Sequence, residues 1–153
     1  MGPGSMFKGR SFHTMDNKGR VSIPVRYRDI LQESQDNQLV LTNWEGYILA
    51  FPQAEWVRVE HDLVKLDRFT KVNRDFLRHI VSGAEECPID KQGRILIPQT
   101  LREYAKLDRE VAIVGMVSNF EIWDKERFEA YRQRAEENID EGVLNRMLSQ
   151  PVI

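Results

Sequence analysis

Two stretches decide the fold: DNKGRVSIP at residues 16–24 and DKQGRILIP at residues 90–98, a shift of 74. Asp, Gly, Arg, Ile and Pro stand at the same offsets in both, and Arg28 then falls on Arg102. Ordered identities of this kind mark an internal duplication, which constrains architecture before any single element is considered. With two residues deleted, YILAFPQAEW at 47–56 aligns with NFEIWDKERF at 119–128. The likeness covers roughly 45 residues in each half, near the size at which an isolated domain needs outside support.

Each copy reads the same way locally. An extended stretch (12–15; 86–89) runs into Asp-x-x-Gly and then into alternating Arg-Val-Ser-Ile or Arg-Ile-Leu-Ile. Gly19 and Gly93 supply the positive φ that such a loop requires, and Asp16 and Asp90 fold their carboxylates back on the loop amides. The pattern predicts a hairpin whose second strand ends at Pro24 or Pro98, where proline suits the first turn of a helix. VRYRDIL and QTLREYA then carry apolar residues at helical spacing. Two short β-rich runs follow in each half, and Pro52 or Asp124 opens a helix bearing Trp56 or Phe128.

The expected fold is therefore mainly β with helices (α+β). Two tandem β-β-α-β-β halves form a pseudo-two-fold interlocked β-barrel, each half supplying the core the other lacks. Residues 10–57 form the first half and 84–127 the second. Residues 58–83 form a helical connector, whose Phe69, Val72, Phe76 and Ile80 lie three or four apart and whose stop is Gly83. Residues 128–153 form a C-terminal helix and tail. Residues 1–5, MGPGS, read as a cloning scar ahead of a native Met6.

At 153 residues and 41% hydrophobic the chain builds a real core, which excludes wholesale disorder. The longest apolar run, VAIVGMV at 111–117, is far short of the ~20 residues needed to cross a bilayer. A single cysteine, Cys87, excludes an internal disulfide and fits a reducing, cytoplasmic setting. His13, His61 and His79 share no ligand spacing with one another or with Cys87, so no metal is expected. No glycine-rich phosphate cradle or nucleophile–base pair appears, so neither cofactor, small-molecule substrate nor enzymatic activity is expected.

The net charge of −2 argues against a blanket coating of nucleic acid, but its distribution is uneven. Residues 10–28 hold five Lys/Arg against one acid, Asp16; residues 121–141 hold four bases and eight acids. The first region suits phosphate and the second repels it. Around the second loop, which Glu85 and Glu86 precede, the charges from Glu85 to Arg102 cancel, three acids against three bases, so Arg20 is expected to contribute more to nucleic-acid binding than Arg94. Arg28 and Arg102 are expected on a solvated or salt-bridged helix face, and Trp44, Trp56 and Trp123 as core or interface anchors.

MFKG at 6–9, HTMDNKGRVSIP, IDKQGRILIP and VGMVSNFEIWDKERFEAY together resemble the MraZ family of bacterial transcriptional regulators. Each half resembles the AbrB-like swapped-hairpin domain. The resemblance implies a cytoplasmic, nucleoid-associated regulator that binds double-stranded DNA. It would recognise short direct repeats upstream of the division and cell-wall gene cluster that includes its own gene. It also implies ring-shaped homo-oligomers. The family's DxxxR positions fall on Asp16 and Arg20, and on Asp90 and Arg94. Lys18 and Lys91 flank them as backbone contacts, and Lys8 and Arg10 extend the basic surface. The rival reading is an antitoxin-like protein-interaction module built on the same half-domain.

Overall fold

The loop at Asp16–Gly19 decides how the chain is threaded in the computed structural model, which describes residues 6–150. The proposed cloning scar and the last three residues of the tail lie outside that range. Strand β1 (Arg10–Thr14) enters the loop and β2 (Arg20–Ser22) leaves it. The Asp16 N–H donates to the Arg20 carbonyl and the Gly19 N–H to the Asp16 carbonyl, so the turn closes as a hairpin does. Beyond it, however, the two strands part.

The expected local hairpin is thus limited to its turn. β2 pairs antiparallel with β6 (Arg94–Leu96), its counterpart in the second half, with Val21 opposite Ile95 at the centre. β1 pairs with β7 (Glu110–Gly115), and its counterpart β5 (Glu85–Pro88) pairs with β3 (Gln38–Trp44). Each half therefore adds its first strand to the other half's sheet. Strands β4 (Tyr47–Pro52) and β8 (Phe120–Asp124) meet in the middle, with Ile48 opposite Ile122.

The resulting six-stranded order, β1-β7-β8-β4-β3-β5, reads the same after the halves are exchanged. The interlocked pseudo-two-fold is present, built as this sheet plus the β2–β6 ribbon, with the loops joining the ribbon to both edge strands. The fold is α+β as expected, although helices hold more residues than strands.

One core joins the two layers. Val21, Ile23, Ile95 and Ile97 of the ribbon pack with Leu39, Leu41, Ile48, Val111, Ile113 and Ile122 of the sheet. Each fully buried aliphatic side chain contributes roughly 1.5–3 kcal/mol, so four from the ribbon hold it firmly to the sheet. Helices α1 (Val25–Glu33) and α4 (Gln99–Tyr104) follow Pro24 and Pro98 and seat Tyr27, Leu31 and Leu101 in the same core.

Three further helices cover the sheet's other face. α2 (Gln53–Val64) and α3 (Lys71–Ser82) bury Trp56, Leu63 and Ile80 against Val40, and α5 (Lys125–Glu137) buries Phe128 against Trp123. The connector's helix starts at Lys71, capped by the Thr70 hydroxyl, so Phe69 stands outside it and is 93% exposed. Only the Ile80 end of the anticipated apolar stripe is fully buried. α6 (Glu141–Ser149) buries no residue, and Ile139 lies in the break between it and α5. Among the described residues no helix is long and apolar enough to cross a membrane.

Candidate nucleic-acid interface

The two loops have the same wiring. Asp16 Oδ1 accepts the N–H groups of Lys18 and Arg20, both at 2.9 Å, while Oδ2 accepts Arg20 Nε at 2.7 Å. Asp90 Oδ1 accepts the N–H groups of Gln92 and Arg94 at 2.9 Å, and Oδ2 accepts Arg94 Nε at 3.1 Å. A carboxylate with three donors strongly prefers its charged form. The Arg20 N–H, ahead of its guanidinium and the Lys18 N–H, draws Asp16 down to about 2. Asp90 is held below its ordinary value, chiefly by the Arg94 N–H.

Glycine closes each loop at positive φ, +93° at Gly19 and +77° at Gly93. Each half also braces the loop of the other. The Ile97 N–H donates to the Gly19 carbonyl and the Ile23 N–H to the Gly93 carbonyl, both at 2.9 Å. Arg102 Nε donates to the Ile97 carbonyl at 2.8 Å and packs its side chain over Gly19; Arg28 donates to the Ile23 carbonyl at 3.0 Å and packs over Gly93. These two arginines are braces between the halves, not members of a salt-bridged helix face. Their equal offset after the repeated proline is the one sequence signal that points to them.

The register brings both loop arginines to one surface. Strand alternation turns Val21 and Ile95 into the core and leaves Arg20, Ser22, Arg94 and Leu96 facing outward. Arg20 sits opposite Leu96 and Arg94 opposite Ser22, so the arginines are diagonal neighbours, about 7–8 Å apart at the backbone. The Arg20 and Arg94 side chains are 35% and 29% exposed. Among the described residues nothing accepts from the Nη nitrogens of either. Each guanidinium is gripped at Nε and open at its far edge.

Lys18 and Lys91 are exposed at the loop tips. Lys8 and Arg10 are also exposed but stand at the opposite end of β1, about 20 Å along the strand from Asp16. The structure brings Arg20 and Arg94 together on the ribbon, sets the loops of Asp16, Lys18 and Gly19 and of Asp90, Lys91 and Gly93 at its two ends, and leaves Lys8 and Arg10 apart.

A family model described as "MraZ protein, putative antitoxin-like" matches the chain twice, over residues 6–79 and 80–149. The transcriptional regulator MraZ of Desulforamulus reducens is 43% identical over 141 residues, 92% of this chain and 96% of that protein. The protein of the same name from Carboxydothermus hydrogenoformans is 43% identical over 146 residues, covering 94% of this chain and 100% of the relative. That from Syntrophobacter fumaroxidans is 42% identical over 125 residues, 82% of this chain and 83% of its own length. Matches of this extent, one for each half of the duplication, mean that the chain belongs to the MraZ family.

Proposed function

We propose that this chain is a transcriptional regulator that binds double-stranded DNA sequence-specifically, reading it with the β2–β6 ribbon. The relatives' names support the regulatory role. A two-stranded antiparallel ribbon is one of the few elements narrow enough to enter the major groove. The observation that carries the reading is the pair of arginines on its outward face, each locked at Nε and open at Nη.

In this reading Arg20 and Arg94 present their planar forks to guanine edges, the pairing that gives base discrimination. Lys18 and Lys91 contact phosphates, adding affinity and salt dependence without sequence preference. Asp16, Gly19, Asp90 and Gly93 hold the loops. Lys8 and Arg10, at the far end of β1, meet only a duplex that follows the molecule well beyond the ribbon. The family resemblance supplies the finer picture: short direct repeats upstream of the division and cell-wall cluster, ring-shaped self-association, and a cytoplasmic, nucleoid-associated location.

A footprint on the chain's own upstream region, taken at low and at physiological salt, tests this. Protection of repeated short sites that weakens steeply with salt is expected. Uniform protection, or none, contradicts it.

The antitoxin-like alternative draws on the family description and on α6, whose Val143, Leu144, Met147 and Leu148 are exposed. Resistance of the segment after Lys125 to protease in the purified protein counts against it, because a partner-capturing tail orders only on binding.

A further inference from the structure

Matching positions on the two sides of the ribbon differ in charge, and the difference is concentrated at the first loop. The Met15 N–H donates to the Arg109 carbonyl at 2.8 Å, and the Ile89 N–H donates to the Asn37 carbonyl at 3.0 Å. Arg109 and Asn37 are therefore structural counterparts. So are Lys106 and Gln35, which follow α4 and α1 with φ of +54° and +57°. Within the loops, Asn17 and Lys18 correspond to Lys91 and Gln92.

The first loop is thus accompanied by Lys18, Lys106 and Arg109, and the second by Lys91 alone. Carboxylates offset this only in part: Asp16 matches Asp90 and Asp108 matches Asp36, while Glu103 matches Gln32, since the Lys106 N–H donates to the Glu103 carbonyl as the Gln35 N–H does to that of Gln32. Lys106 and Arg109 are exposed, and among the described residues neither side chain has a hydrogen-bonding or ionic partner. They share a cleft of about 490 Å³ with Asp16, Arg102, Glu103 and Asp108; its counterpart beside Arg28, Asp36, Asp90 and Lys91 is about 280 Å³. Of the three carboxylates that line the larger cleft, Asp16 is already engaged by Arg20 and Glu103 by the Gln99 amide.

From this geometry we infer that the larger cleft seats a phosphate of the DNA backbone on Lys106 and Arg109. The second half thereby supplies affinity to the loop of the first. The inference rests on the DNA-binding reading above and assigns the two halves unequal tasks. The first loop binds tightly as well as reading, while the second reads with little backbone support.

The test is fluorescence anisotropy of a labelled duplex from the upstream region, and of a scrambled duplex, across a potassium chloride series. Lys106→Gln with Arg109→Asn copies the second cleft into the first. The slope of log affinity against log salt is expected to fall by about 0.9, the contribution of the one phosphate that is no longer neutralised. Both duplexes should weaken alike, with the thermal midpoint unchanged. The reciprocal variant, Gln35→Lys with Asn37→Arg, should steepen the slope. Inorganic phosphate at constant ionic strength should leave DNA binding unaltered; competition by it would mark a free-anion site and overturn the inference.

An unchanged slope in the first double variant, alongside lost discrimination in Arg20→Ala, overturns the phosphate seat and leaves the DNA-binding reading standing. A parent protein with no salt-sensitive duplex binding overturns both.

Discussion

Arg102 lies across Gly19, a residue of the other half's loop: a β-carbon added at Gly19 would stand 2.7 Å from both Cζ and Nε of Arg102. Arg28 covers Gly93 in the same manner. Each glycine is therefore required twice, once for its positive φ and once for the space above it. Because loop and arginine come from different halves, this packing ties the duplicated units together at the place where they would meet a ligand.

Gly19→Ala is expected to destabilise the protein by about 1–3 kcal/mol, the range for a non-glycine residue forced into such a conformation. In an Arg102→Ala background the same change should cost less, because only the backbone strain remains. Urea unfolding of the four proteins of this double-mutant cycle measures the coupling. Strict additivity would mean that the packing of Arg102 on the loop is incidental.

Acid should expose the role of Asp16. Its folded value of about 2 lies below the ordinary 3.8, so it contributes stability above about pH 4 that is lost as pH falls toward 2. Asp16→Asn should flatten part of the decline in thermal midpoint between pH 4 and 2 while lowering the midpoint at neutral pH. An unaltered acid profile would remove Asp16 as a source of that stability.

The segment ahead of β1 is expected to matter for stability as much as any motif. Phe7 is fully buried, edge-on to Tyr27 at 5.0 Å and tilted on Phe120 at 5.4 Å, and the Tyr27 hydroxyl donates to the Lys8 and Gly9 carbonyls. Phe7→Ala should cost about 3–5 kcal/mol, as for other deeply buried aromatics. A loss under about 1 kcal/mol by chemical denaturation would show that this corner repacks freely.

Local chemistry makes the loops legible. Asp16, Gly19 and Arg20, with their counterparts, act through bonds within five residues, so the sequence pattern carries them. The partners of β1 and β2 are hidden because their ladders run to Glu110–Gly115 and Arg94–Leu96, and alternation says nothing about which distant strand completes a pair. Arg28 and Arg102 escape a local reading for the same reason, since each acts on a loop from the other repeat. The spacing of Phe69 to Val72 and Phe76 draws it into a helical stripe. Thr70 caps the helix one residue later and leaves Phe69 outside.

Anisotropy of the parent, Arg20→Ala and Arg94→Ala on an upstream duplex and a scrambled one tests most directly whether the ribbon reads sequence. Among the described residues the Arg20 and Arg94 side chains bond only to the aspartate of their own loop, so both variants should keep the parent's thermal midpoint to within a few degrees. Arg20→Ala should lose about 1–3 kcal/mol of preference for the upstream duplex, a factor of roughly 5 to 150, with a smaller loss for Arg94→Ala. Full preference retained by a folded Arg20→Ala protein would contradict the account, because discrimination would then reside elsewhere on the molecule.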